Sequence, residues 1–393
     1  VTILFCAPFA RCQDDPEESM NATEMIHHWG YPVETHEVVT ADGYILSLLR
    51  IPHGPHSKGN SSCRRPPVMM AHGLFSDASE FVANPPASSP AMILADAGFD
   101  VFLLNVRGTT LSQRHLRFTN RDRNFWKFTA DDMAKYDATA SIDKALALNG
   151  AKSLHWIGHS QGTLIGFFFL ADLPDYNRKV QSLIQLSSVG TLHWTKGFAR
   201  VIKVFVTFLK SLFTIPMEIG QRDKRFTLKI LKSMCPPTSM LICKNFLEMY
   251  AGPSSQSFNW SRGAVYMSKV LESTSSWNYL HFLQNHNLNH AYHFDVSPFE
   301  NLKRYGNIKA PPYNYSNINS DVYFFWSRND WLTPPKEIER YLAPQMKCGI
   351  IKGSFEIPEY NHADFVFATD VADRVFKRIT GIIRKYESNF CLD

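Results

Sequence analysis

The sequence predicts an α/β fold: a mostly parallel central sheet with helices on both faces, interrupted by an inserted, mainly helical cap. Three observations carry that prediction. Apolar runs of strand length alternate with stretches of helical periodicity from residue 67 to about residue 190, and again from residue 321 towards the C-terminus. The runs VFLLNV (101–106) and DVYFFW (321–326) are apolar at successive positions, as strands are when helices cover both faces of a parallel sheet. Between the two alternating blocks, over residues 191–316, the alternation stops.

The elements follow in order. A short helical pattern ends at Trp29-Gly30. THEVVT and YILSLLRI then flank Ala41-Asp42-Gly43, and a D-G turn between β-rich runs predicts a hairpin. Residues 55–66 are polar and rich in Pro, Gly and Ser, a surface loop; Pro67–Ala71 reads as a buried strand running into His72-Gly73-Leu74. A helix over Ser89–Ala97 stops at Gly98, ahead of the strand 101–106. Thr129-x-x-Asp132 opens the next helix as a capping box, and the pattern runs to Asn149-Gly150. Leu154–Ile157 and Ser182–Leu186 are strands, with a helix from Gln161 between them. The second block holds DVYFFW, a helix from Pro335, a strand GIIKG (349–353) and a closing helix with apolar residues from Val371 to Tyr386 at helical spacing. The chain thus divides into a leader (1–18), a first core part (19–190), the cap (191–316) and a second core part (317–393).

A chain of 393 residues with an apolar fraction of 45% suits one large domain with an insertion. The net charge of +5 comes from 41 basic against 36 acidic residues without long basic runs, so no nucleic-acid partner is expected. The leader VTILFCAPFARCQ has the apolar run of a signal peptide and is too short to cross a membrane; no later segment reads as a transmembrane helix. The sequons at Asn21, Asn60, Asn259 and Asn314 are candidate glycosylation sites, and with the leader they predict entry into the secretory pathway. The seven cysteines include no C-x-x-C, so neither a zinc site nor a redox motif is indicated. A bridge between Cys235 and Cys243 needs Pro236-Pro237 to break the helix, because eight residues of continuous helix would hold them about 12 Å apart. In the cap, TKGFARVIKVFVTFLKSLF sets Lys196, Arg200, Lys203, Thr207 and Lys210 on one polar stripe of an otherwise apolar helix. That helix either packs on the core or offers part of its apolar face to lipid.

The chemistry centres on Gly158-His159-Ser160-Gln161-Gly162, a G-x-S-x-G pentapeptide between a strand and a helix. A serine hydroxyl there needs a general base, and the base needs a carboxylate to hold its tautomer. Asp330, just past DVYFFW, and His362, in EYNHADF ahead of the last helix, supply them in the order Ser, Asp, His, each beyond a strand's carboxyl end. His159 sits inside the turn and points away from the hydroxyl; His281, His286, His290 and His293 lie in the cap with no strand end before them; Asp321 is at the wrong end of its strand. Two backbone N–H groups, those of Gln161 and Leu74, are the expected oxyanion donors. No metal or other cofactor is required. Ser160, Asp330 and His362 therefore predict an acyl-enzyme hydrolase.

From about Ser19 to Tyr386 the chain resembles the acid lipases, the group of gastric and lysosomal acid lipases. The resemblance rests on NATEMIHHWGYPVETHEVVTADGYILSLLRIP, HGL, ILADAGFDVFLLNVRG, MAKYD, LHWIGHSQGT and YNHADF. It implies an α/β-hydrolase core under a cap with a mobile lid. The implied reaction is hydrolysis of acylglycerols or sterol esters at a micelle, droplet or membrane interface, generally at acid pH, outside the cell or in lysosomes. The family's nucleophile, acid and base fall on Ser160, Asp330 and His362, and its oxyanion donors on Leu74 and Gln161. Two departures stand out. The family's R-G-N is Arg107-Gly108-Thr109, and of its lid disulfide only Cys235 has a match, the other position holding Phe226; Cys243 matches what is typically a free thiol. An esterase, thioesterase or acyltransferase could use the same triad, and a non-catalytic lipid-binding or adhesion protein is the reading from a different class.

Overall fold

The computed structural model describes residues 15–57, 64–208, 210–220, 241–270, 272–286 and 288–387. Its frame is a mixed sheet of eight main strands: β1 (Glu34–Val39), β2 (Tyr44–Ile51), β3 (Pro67–Ala71), β4 (Asp100–Leu104), β5 (Leu154–His159), β6 (Val180–Leu186), β7 (Asp321–Trp326) and β8 (Ile351–Glu356). They lie in the order β1-β2-β4-β3-β5-β6-β7-β8. β2 runs antiparallel to β1 and β4, and every pairing from β4 to β8 is parallel. This is the α/β-hydrolase arrangement, and it puts the carboxyl ends of β3, β5, β7 and β8 on one edge. A two-residue strand, Arg114–His115, also pairs with β2, an addition that its charged sequence does not announce.

Helices cover both faces of the sheet. In the first block these are α1 (Ala22–His28), α2 (Pro90–Asp96), α3 (130–149) and α4 (Gln161–Asp172). The Thr129/Asp132 capping box is present, but α3 is not regular: Met133–Ala138 form a π-helical stretch. One buried residue explains part of the local architecture. Arg107, in the turn that follows β4, bonds to Asp42 in the hairpin turn and to Asp137 in the π-helical stretch, and its guanidinium lies 3.9 Å from the Tyr44 ring centroid. Thr109, where the resemblance implies asparagine, is buried and donates to the Val106 carbonyl at 2.9 Å.

At its far edge the sheet departs from expectation. β8 covers Ile351–Glu356 rather than 349–353, and its residues are mostly half-buried because it is an edge strand, with no neighbour beyond it among the described residues. The helix expected from Pro335 is present from residue 336 but irregular, passing through a π-helical turn, Ile338–Leu342, and a 3-10 turn, Ala343–Gln345.

Between β6 and β7 the described elements are α5 (Gly197–Phe208), α6 (Leu241–Ala251), α7 (Gly263–Lys269), α8 (Ser276–Asn285) and α9 (Pro298–Tyr305), with a two-residue strand pair, Glu218–Ile219 and Thr274–Ser275. This segment is pinned to the core, and to residues 17–18 just ahead of it, by buried polar contacts. Arg262 pairs with Glu17, and the Lys269 ammonium donates to the carbonyls of Glu17, Glu18 and Met20. Asp131 in α3 accepts from the Phe294 N–H at 2.8 Å and the Tyr313 hydroxyl at 2.6 Å, beside His281 and His293. Cys243 is disulfide-bonded, against the free thiol that the resemblance implies at its position, and Cys348 is free and exposed; Cys235 and Phe226 lie outside the described residues. Among the described residues no helix is long and apolar enough to cross a membrane.

Candidate active site

The elbow between β5 and α4 is forced by contact. A Cβ on Gly158 would come within 2.6 Å of the Gly162 backbone, and one on Gly162 within 2.0 Å of the Ala71 carbonyl oxygen in β3. Only glycine lets strand, turn and helix meet this closely. Ser160 itself takes φ 50°, ψ −117°, a strained conformation for a residue with a side chain, and remains partly exposed among buried neighbours.

Two segments from the later strand ends converge here. Asp330 is fully buried after β7, and His362 follows β8. The His362 Nδ1 lies 2.9 Å from Asp330 Oδ2 and 3.2 Å from Oδ1. The remaining acceptor capacity of Asp330 is met by the N–H groups of Leu332 at 2.9 Å and Thr333 at 2.8 Å and by the Thr333 hydroxyl at 2.7 Å. Burial works against its charge, yet His362 and these donors outweigh burial and hold the carboxyl below the usual range. An ionised Asp330 fixes the proton of His362 on Nδ1 and leaves Nε2 as the base. The ring of His159, the residue before Ser160, has its centroid 5.1 Å from that of His362, so hydroxyl-bearing turn and imidazole share one edge of the sheet.

The expected oxyanion donors have defined settings. Gln161 opens α4, where its N–H has no acceptor within the helix; its side chain is buried and accepts from Asn278 of α8 at 2.7 Å. Leu74 shares a peptide unit with the Gly73 carbonyl. Because the Val106 N–H donates to His72 Nε2 at 3.3 Å, the proton of His72 sits on Nδ1 and is donated to Gly73 O at 2.9 Å. In a trans peptide that fixes the Leu74 N–H to point away from His72. His72 thus orients the Gly73–Leu74 peptide, a contact that motif reading passes over, although its place in HGL could have flagged it.

Around the site the other candidates fall elsewhere. His281 and His293 serve the contact with Asp131, His290 bonds Gln345, and Asp321 accepts from Tyr386. No group of metal-ligating side chains is found among the described residues. A basic cavity of about 740 Å³, lined by Lys196, Arg200, Arg328 and Lys336, opens beside the Asp330–Thr333 turn but includes neither Ser160 nor His362. Asn21 and Asn259 are half-buried, Asn314 is exposed, and Asn60 lies outside the described residues.

Comparison with known proteins shows the family of the chain. Residues 22–85 match the family model for a partial alpha/beta-hydrolase lipase region, and residues 66–368 match that for the alpha/beta hydrolase fold. Gastric triacylglycerol lipase of Bos taurus is 37% identical over 94% of this chain and 92% of its own length, and that of Homo sapiens 36% over the same shares. The chain belongs to the acid lipase family. Human lipase member K is 33% identical over 95% of this chain and 93% of its own. Among solved structures, an alpha/beta hydrolase fold protein from Nakamurella multipartita superposes with a TM-score of 0.52 at 15% identity, over 90% of this chain and all of that one. That likeness speaks for the fold alone. The acid lipase described here is thus a lipase whose sheet carries Ser160, Asp330 and His362 at a common edge.

Proposed function

We propose that this lipase cleaves carboxylic esters of neutral lipids, triacylglycerols or sterol esters, through an acyl-enzyme on Ser160. The observation that carries the reading is the direct Asp330–His362 contact beside the strained Ser160 turn. Ser160 Oγ attacks the ester carbonyl carbon while His362 Nε2 takes its proton. The carbonyl oxygen becomes an oxyanion held by the N–H groups of Leu74 and Gln161, each worth about 3 kcal/mol in a preorganised site. Collapse breaks the C–O bond, and His362 returns the proton to the departing alcohol. Water then attacks the acyl group with His362 again as base, releasing the fatty acid and restoring Ser160.

Residues 191–316 act in this reading as the cap that lines the acyl path and meets the lipid surface. Val201, Leu212, Leu241, Ile242 and Phe246 are each more than half exposed there, an apolar surface that a water-facing role does not require. Asn21, Asn60, Asn259 and Asn314 carry glycans after passage through the secretory pathway. Action is extracellular or lysosomal and at acid pH in this reading, as the family resemblance implies; the gastric triacylglycerol lipases among the relatives support the triacylglycerol substrate. A substrate panel from pH 4 to 8 tests the reading: emulsified triacylglycerol, sterol ester and short soluble esters, with Ser160→Ala as control. Acid-side turnover of the emulsified esters, lost in the variant, is expected. Turnover of soluble esters or thioesters alone, or acyl transfer to an added alcohol in place of hydrolysis, would overturn it.

A further inference from the structure

Glu80 and His159 are buried, charged in composition, and unused by the chemistry above. Glu80 sits in the turn Ala78–Phe81 after the loop that carries Leu74, and His159 is the last residue of β5. His159 Nδ1 lies 2.8 Å from Glu80 Oε1, and His159 Nε2 lies 3.1 Å from the backbone carbonyl oxygen of His362. Glu80 also accepts the Gly73 N–H, at 3.2 Å on Oε2 and 3.4 Å on Oε1. The two ring nitrogens therefore face a carboxylate and a carbonyl, and an imidazole can donate to both only as the doubly protonated cation.

Resting on the mechanism proposed above, we infer that Glu80 and His159 form a buried ion pair whose role is positional. One end clamps the Gly73 N–H, beside the oxyanion donor Leu74. The other end clamps the carbonyl of the residue that bears the catalytic imidazole. A single side-chain pair thus sets the separation between the donor that stabilises the oxyanion and the base that makes the nucleophile. The charged and titratable groups facing the pair are His72 from the end of β3 and Asp330 and His362 from the loops after β7 and β8, with the Ser76 hydroxyl on Glu80. Burial opposes charge on both members. The Glu80 carboxylate nevertheless holds His159 above the ordinary histidine range, and His159 holds Glu80 below the ordinary carboxylate range.

Two substitutions separate position from charge. Glu80→Gln keeps the size and both hydrogen bonds, since its amide oxygen accepts from Gly73 and its NH₂ donates to a neutral His159. Glu80→Leu keeps bulk and removes both bonds. On a soluble short-chain ester, kcat is expected to fall about 30-fold in Glu80→Leu with KM within twofold, because the lost alignment acts on the transition state. Glu80→Gln restores kcat to within about threefold near neutral pH. The cationic end of the pair faces His362 and the anionic end faces away, so its neutralisation in Glu80→Gln raises the pH below which kcat/KM declines by a few tenths of a unit. Circular dichroism and thermal melting establish the folded fraction of each variant. Wild-type kcat in folded Glu80→Leu, or a Glu80→Gln variant no better than Glu80→Leu and with an unshifted acid limb, would overturn the inference. If the wild type itself hydrolysed no ester, the functional reading would fail instead.

Discussion

In the sheet, Met69, Leu103, Ile157, Ile184 and Phe324 are completely buried; between β6 and β7, Val201, Leu212, Leu241 and Ile242 stand more than half exposed. The two regions also hold themselves together differently. The sheet is fixed by apolar burial and by backbone contacts too close for any side chain, as at Gly158 and Gly162. The segment above it is fixed to the core by a few buried ionic and hydrogen-bonded anchors: Arg262 with Glu17, Lys269 with three carbonyls, His293 with Asp131. Under the function proposed above, the contrast amounts to a division of labour, in which a rigid edge holds the reacting groups while a more weakly buried roof meets the lipid.

The largest expected effects lie at the sheet edge. Ser160→Ala should lower kcat on any ester by about 10⁶-fold and Asp330→Asn by about 10⁴-fold, with melting temperatures near wild type, measured by initial rates and calorimetry. A loss confined to emulsified substrate would break the division, because chemistry and surface contact would then share residues. Next comes packing. Gly162→Ala drives a methyl against the Ala71 carbonyl and should cost about 3 kcal/mol in denaturant unfolding. Gly306→Ala, after α9, meets nothing within 4 Å and bears only a positive φ of 68°, so about 1 kcal/mol is expected.

The anchor between the regions should respond to pH. Burial disfavours charge on His293, but Asp131 and Asp172 outweigh it and push its pKa up to about 9. Its stabilisation is therefore complete below the ordinary histidine value near 6.5 and is lost as pH rises through about 9. His293→Gln should destabilise by about 2 kcal/mol at pH 5 to 6 and by little above pH 9, read as melting curves across pH. A constant difference across that window would remove the ionic anchor from the account. The smallest effect is expected on the roof: Ile242→Asp should reduce turnover of emulsified triacylglycerol about tenfold, leave soluble-ester turnover within twofold, and change stability by less than about 0.5 kcal/mol.

The same contrast governs what can be read from sequence. β3, β4 and β7 are legible because strands covered on both faces are apolar at nearly every position, and β6 shows through Leu183 and Ile184 despite its buried Ser182 and Gln185. β8 is displaced from its expected place because an edge strand such as IKGSFE need not be. The π-helical stretch in α3 leaves no periodic trace, since a single wide turn barely perturbs the apolar spacing. Between β6 and β7 the apolar stripe of α5 is visible, but whether it is buried or exposed depends on neighbours that spacing cannot supply. Ser160, Asp330 and His362 stand out because order and strand ends constrain them, and Gln161 and Leu74 follow from their neighbours. Glu80 does not stand out: its partner His159 is 79 positions away, and nothing local distinguishes it from a solvated carboxylate.

The most direct test is covalent. Incubation with a long-chain p-nitrophenyl alkylphosphonate, followed by peptide mapping, should place one adduct on Ser160 as activity is lost, about 10⁴-fold more slowly in Asp330→Asn. Complete inactivation with Ser160 unmodified, or full activity with Ser160 modified, would contradict the account.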